Sequence, residues 1–191
     1  MDATSRNAGW KYGAIWVLAN SVAWALAMSA GWLDFSSSYY VSLLPGGLLI
    51  GLAQWVVLSR RFPIPAWWIV GFSAGWYVSL VLGWQAGFFG PLPIVVGLAG
   101  GVLVGVQQWL AIRRQVAHAA RWFYAFFGSS LIGCWLGGWI GYRAYDQNTG
   151  ENAAFLVGGV CVGALIGLLS SIALVRLVPD RRFTAAGRTS G

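Results

Sequence analysis

Six long apolar runs, separated by short stretches rich in polar residues, glycine or proline, organise the chain. They cover Tyr12 to Trp32, about Val41 to Ser59, Ala66 to about Ala86, about Leu92 to Ile112, about Trp122 to Tyr142, and about Ala153 to Val178. Each is close to the roughly 20 residues that carry a helix across a bilayer. The breaks carry their own signals. Leu33 to Tyr40 holds Asp34 and three serines, Phe62-Pro63-Ile64-Pro65 is a tight connector, and Gly87 to Pro93 is a proline-bearing turn. All six prolines fall at a boundary or in the first turn of a run, where a missing backbone N–H costs nothing. The pattern predicts an all-α membrane bundle of six transmembrane helices.

The runs repeat. GGLLIGLAQWVVLSRR (Gly46 to Arg61) returns as GGVLVGVQQWLAIRR (Gly100 to Arg114) and, altered, as GGVCVGALIGLLSSIALVR (Gly158 to Arg176). The odd-numbered runs repeat as well: Trp16, Ser21, Trp24 and Gly31-Trp32 match Trp68, Ser73, Trp76 and Gly83-Trp84 at an offset of 52 residues. The fifth run keeps Gly138-Trp139 at the corresponding end. The unit is therefore a helix hairpin present three times, over about 10–61, 62–114 and 115–179, with a basic tail at 180–191. Two-span units enter the membrane in the same direction, so a pseudo-threefold axis along the membrane normal is expected, unlike the in-plane axis of inverted-repeat transporters. The aromatics that open each odd run (Trp10/Tyr12, Trp67/Trp68, Trp122/Phe123/Tyr124) and the Gly-Trp pairs that close it read as interfacial belts. Trp67 to Trp84 spans about 26 Å of helix, close to the roughly 30 Å of bilayer hydrocarbon.

Composition and charge sharpen this picture. With 191 residues, 58% hydrophobic and 9% charged, the chain is too apolar for a water-soluble core of its size. Its net charge of +7 does not point to nucleic acid, because the arginines punctuate apolar runs instead of forming a basic face. Anionic headgroups are the expected partner. With a cytoplasmic N-terminus, eleven of the twelve basic residues lie on the inner side and Arg143 alone on the outer. Both termini are thus expected in the cytoplasm of a bacterial inner-membrane protein.

Candidate chemistry is sparse. The bodies of the runs hold no Asp, Glu, Lys, Arg or His, Arg176 lying in the last turn of the sixth; such residues mark proton relays and ion paths in membranes. His118 sits in a basic connector, and neither a haem ligand pair, a metal cluster nor a buried nucleophile with its base can be assembled. What remains is Gln54-Trp55 and Gln108-Trp109, each beside a glycine face and about one and a half turns before the arginine stop. An amide in hydrocarbon needs a partner. The plain reading is interhelical glue at ~0.6–2 kcal/mol per contact; the functional one is a ligand pocket in which Gln orients and Trp forms a wall. The stripes Gly97/Gly101/Gly105, Gly133/Gly137/Gly141 and Gly159/Gly163/Gly167, with Ala19/Ala23/Ala27/Gly31, read as close helix contacts, or as room for a lipid, quinone or pigment ring. Cys134 and Cys161 lie at similar depth on consecutive runs, where a disulfide is conceivable.

Gly51-Leu52-Ala53-Gln54-Trp55 through Arg60, and Gly105-Val106-Gln107-Gln108-Trp109 through Arg114, resemble a group of bacterial multipass proteins, frequent in cyanobacteria and relatives, whose helices repeat G-x-x-Q-W-x-x-L-R-R. Here a serine precedes the first arginine pair, and the third copy has Ile166-Gly167 in place of Gln-Trp. The resemblance implies architecture and carries no activity, so no catalytic residue transfers. The expectation is a non-enzymatic structural or accessory subunit of a membrane assembly, in contact with lipids and other membrane subunits. The alternative is a small-solute binder, similar in size and span count to the substrate-binding components of energy-coupling-factor vitamin transporters, with the alanine stripe of the first run as its docking face.

Overall fold

The computed structural model describes residues 3–30, 39–85, 92–116, 118–147 and 150–176. They form six helices: α1 (Ala3–Ala30), α2 (Tyr39–Ser59), α3 (Trp67–Gln85), α4 (Leu92–Ile112), α5 (Ala120–Asp146) and α6 (Glu151–Arg176). Two of the helices outrun the apolar pattern. α1 begins at Ala3 within the polar leader, and α5 continues through Arg143 to Asp146, because backbone hydrogen bonding continues beyond the last apolar residue. The Gln147 N–H then closes α5 on the Arg143 carbonyl. The tail 180–191, the turn around Asp34, and the side chains of Trp32 and Trp84 lie outside the described residues.

Among the described residues, helix backbones approach one another only between chain neighbours, and α6 returns to pack on α1. The result is a closed ring of six helices in sequence order. Every neighbouring pair is antiparallel: Gly46 meets Ala27, Gly51 meets Ile69 and Phe72, Gly75 meets Val104, Gly101 meets Phe127, Gly137 meets Val162, and Gly163 meets Asn20 and Ser21. The arginine-bearing ends therefore gather at one end of the bundle, and Asp146 with Arg143 lies at the other.

The polarity of the ring is inverted relative to a protein in water. Leu44, Leu48, Leu52 and Val56 form an exposed stripe on α2, as do Leu18, Val22 and Leu26 on α1, whereas Asn20, Gln54, Gln108, Ser79 and Ser170 are fully buried. Four helical stretches, Gly9–Ser29, Pro93–Ile112, Ala120–Asp146 and Asn152–Arg176, are long and apolar enough to cross a membrane; Leu44–Ser59 and Trp67–Gly83 are shorter apolar helices. This is a helical membrane protein.

The contacts also correct several expectations. Trp68 and Trp122, read as belt residues, are buried in the ring along with Trp16, while their neighbours Trp67 and Tyr124 face outward. Adjacent residues on a helix point about 100° apart, so an aromatic pair contributes one ring to lipid and one to the core. Of the alanine stripe, Ala23 and Ala27 are buried, and Ala27 abuts Gly46 of α2. Cys134 and Cys161 are free thiols. Cys134 Cβ lies beside Gly97 of α4.

The tightest seams are on α6. A Cβ at Gly163 would stand 2.5 Å from the Asn20 carbonyl oxygen, and one at Gly159 2.7 Å from that of Trp24. On the other flank, Gly141 and Gly158 face each other across α5 and α6. Without side chains at these points, the backbones approach closely enough for dispersion between main-chain atoms to bind the helices where no hydrophobic force acts in lipid.

Candidate functional site

Five of the six helices are joined by one chain of buried hydrogen bonds. The Trp122 indole Nε1 of α5 donates to Gln108 Oε1 of α4 at 3.0 Å. Gln108 Nε2 donates to Gln54 Oε1 of α2 at 2.9 Å, and Gln54 Nε2 to Asn20 Oδ1 of α1 at 2.9 Å. Asn20 Nδ2 returns to the Trp16 carbonyl one turn back on α1, at 2.9 Å. The Trp16 indole then donates to Ser170 Oγ of α6 at 2.8 Å, and Ser170 in turn to the Ile166 carbonyl at 2.6 Å. Each amide is oriented by the donor on one side and the acceptor on the other, so the direction of the chain is consistent throughout.

Helical position explains why these residues meet. Gln54 lies three residues after Gly51 and Gln108 three after Gly105, on the flank of the face that packs against the next helix, and both side chains turn into the ring. They approach across it although α2 and α4 are not backbone neighbours. Trp16 and Trp122 cross edge to face with centroids 5.6 Å apart, and Trp24 and Trp76 likewise at 4.7 Å, a favoured aromatic geometry. Indoles therefore fill the space around the amides.

The four candidate residues separate into two kinds. Gln54 and Gln108 are fully buried and bonded to each other. Trp55 and Trp109 lie elsewhere. Trp55 Nε1 donates to the Ile64 carbonyl at 3.0 Å and fastens the connector between α2 and α3, whose Phe62 and Ile64 side chains are tucked into the bundle. Trp109 is partly buried against the core on α4, its ring 5.2 Å from the Arg113 guanidinium carbon. The Gln and Trp of each pair thus have different partners.

Four participants were not among the site candidates read from sequence: Asn20, Trp16, Trp122 and Ser170. The usable signal is Asn20, a lone amide within the first apolar run, which hydrocarbon penalises unless it is paired. The chain also leaves two indoles over. Trp24 Nε1 and Trp68 Nε1 are buried with no acceptor. Trp68 occupies on α3 the place that Trp16 has on α1, without a partner such as the Ser170 hydroxyl that Trp16 has.

No family model matches the chain, and no solved structure matches it. Among curated proteins it is similar to the apolipoprotein N-acyltransferase of Chromobacterium violaceum, 30% identical over an aligned stretch of 145 residues. That stretch takes in 66% of this chain and 28% of the acyltransferase, so the chain spans well under half the length of the relative it matches.

Proposed function

We propose that this chain is a non-enzymatic structural or accessory subunit of a bacterial inner-membrane assembly. It crosses the membrane six times as three hairpins about a pseudo-threefold axis, with both termini cytoplasmic. The observation that carries the reading is the hydrogen-bond chain from Trp122 to Ser170. Its buried amides are spent on one another, which is what helix-to-helix glue requires and what a reaction centre, needing polar groups aimed at a substrate, does not. The likeness to part of an acyltransferase agrees with a membrane location; acyl transfer is not carried over from a match to 28% of that enzyme.

Native mass spectrometry of the protein extracted gently from its own membrane tests the reading. A membrane protein retained in fixed stoichiometry is the expected result. A protein that emerges alone from every mild extraction, or that carries a small solute released on denaturation, overturns it.

A further inference from the structure

At the arginine-bearing end, a lipid-facing groove of about 240 Å³ between α4 and α5 is lined by Val106, Trp109, Ala120, Phe123 and Tyr124. Next to the groove, residue 105 is glycine: a Cβ there would stand 3.1 Å from the Phe123 ring, one of its walls. Aromatic rings form the walls, with Phe123 and Tyr124 set edge to face at 5.3 Å. The dimensions and apolar lining suit a stretch of acyl chain running parallel to the helices.

The head of the groove is cationic. Arg113 follows Trp109 by four residues and Arg121 precedes Tyr124 by three, the spacings that place side chains on one helix face. Each wall therefore ends in an exposed guanidinium, and Arg113 is held over the Trp109 ring at 5.2 Å. No Asp or Glu occurs between Asp34 and Asp146, and Asp146 ends α5 at the opposite end of the bundle. The site thus combines an apolar slot with two positive charges at the headgroup level and no acidic neighbour on either of its walls.

We propose that this groove binds one anionic phospholipid, an acyl chain lying between α4 and α5 and its phosphate meeting Arg113 and Arg121. The two arginines at its head, beside an apolar slot, favour an anionic headgroup.

The test is lipid retention in native mass spectrometry of the purified full chain, loaded with equimolar phosphatidylglycerol and phosphatidylcholine. The expected preference for phosphatidylglycerol is roughly thirtyfold for two arginines at about 1 kcal/mol each. It disappears in Arg113→Gln/Arg121→Gln and persists in Arg60→Gln/Arg176→Gln, which removes the same charge elsewhere at that end. Val106→Trp, which fills the groove on a half-exposed wall and keeps both arginines, abolishes retention of the single tight lipid. Equal retention of the two lipids by the unaltered protein overturns the proposal. So does equal loss in both arginine pairs, which would make the preference a property of the whole basic end.

Discussion

Replacing Gln108 by leucine, a side chain of similar volume, removes one link of the buried chain and leaves two groups without partners: Trp122 Nε1 and Gln54 Oε1. Replacing Gln54 instead orphans Gln108 Nε2 and Asn20 Oδ1. The double variant also orphans only two groups, Trp122 Nε1 and Asn20 Oδ1, because the amides that would have been stranded are both gone. At ~1 kcal/mol for each unpartnered group, each single substitution costs about 2 kcal/mol, and so does the double. The sum of the singles, about 4 kcal/mol, exceeds the double by a coupling of about 2 kcal/mol. Reversible unfolding in bicelles, with all four proteins measured under one condition, gives the coupling directly. Additive losses would show that the two glutamines act independently and that the chain is not a single unit. Singles that cost under about 0.5 kcal/mol would show that the orphaned groups find other partners, as they do in many membrane proteins.

Three further outcomes follow from the packing. Gly163→Ala places a methyl against the Asn20 carbonyl at 2.5 Å and should destabilise by ~1–3 kcal/mol, whereas Gly128→Ala, with nothing within 4 Å, should stabilise by up to ~1 kcal/mol through helix propensity; the same unfolding assay on both variants ranks them, and equal effects would contradict the close α1–α6 seam. Trp55→Phe removes the hydrogen bond to Ile64 and should cost ~1 kcal/mol, with proteolysis between α2 and α3 increasing in step; an unchanged cleavage rate would refute its role as a connector clasp. A C-terminal reporter that is active only in the cytoplasm should give full signal, and a signal confined to the periplasmic reporter would reverse the orientation inferred from the arginines.

Much of this architecture is legible from the chain itself. Apolar length and proline placement locate helices well because a bilayer admits few alternatives to a helix whose backbone groups are all satisfied. The amide pair Gln54/Gln108 is visible for the same reason, since an amide within such a run must find company. The direction in which side chains face is harder to read. Trp67 and Trp68 look alike in a list of aromatics, yet a rotation of one residue sends the first to lipid and the second to the interior. Ser170 is unremarkable in sequence, because a serine in a helix normally bonds its own preceding turn, as this one also does to Ile166. Only the closure of α6 onto α1 brings it under the Trp16 indole. The third repeat illustrates the same limit. Ile166 stands where the other copies have glutamine, and the acceptor needed by Trp16 is supplied one turn later, at a position the repeat does not mark.

The bond from Trp16 to Ser170 spans 154 residues of sequence, which has a consequence for biogenesis. α1 is completed by α6, which is synthesised after it. Until α6 enters the bilayer, α1 presents the backbone around Val17, Asn20 and Trp24, against which the α6 glycines will eventually lie, together with an indole that has no acceptor. That flank stays uncovered until α2 to α5 have been made. A chain truncated before α6 should therefore be recognised as unfinished and degraded, even though five of its six helices are intact.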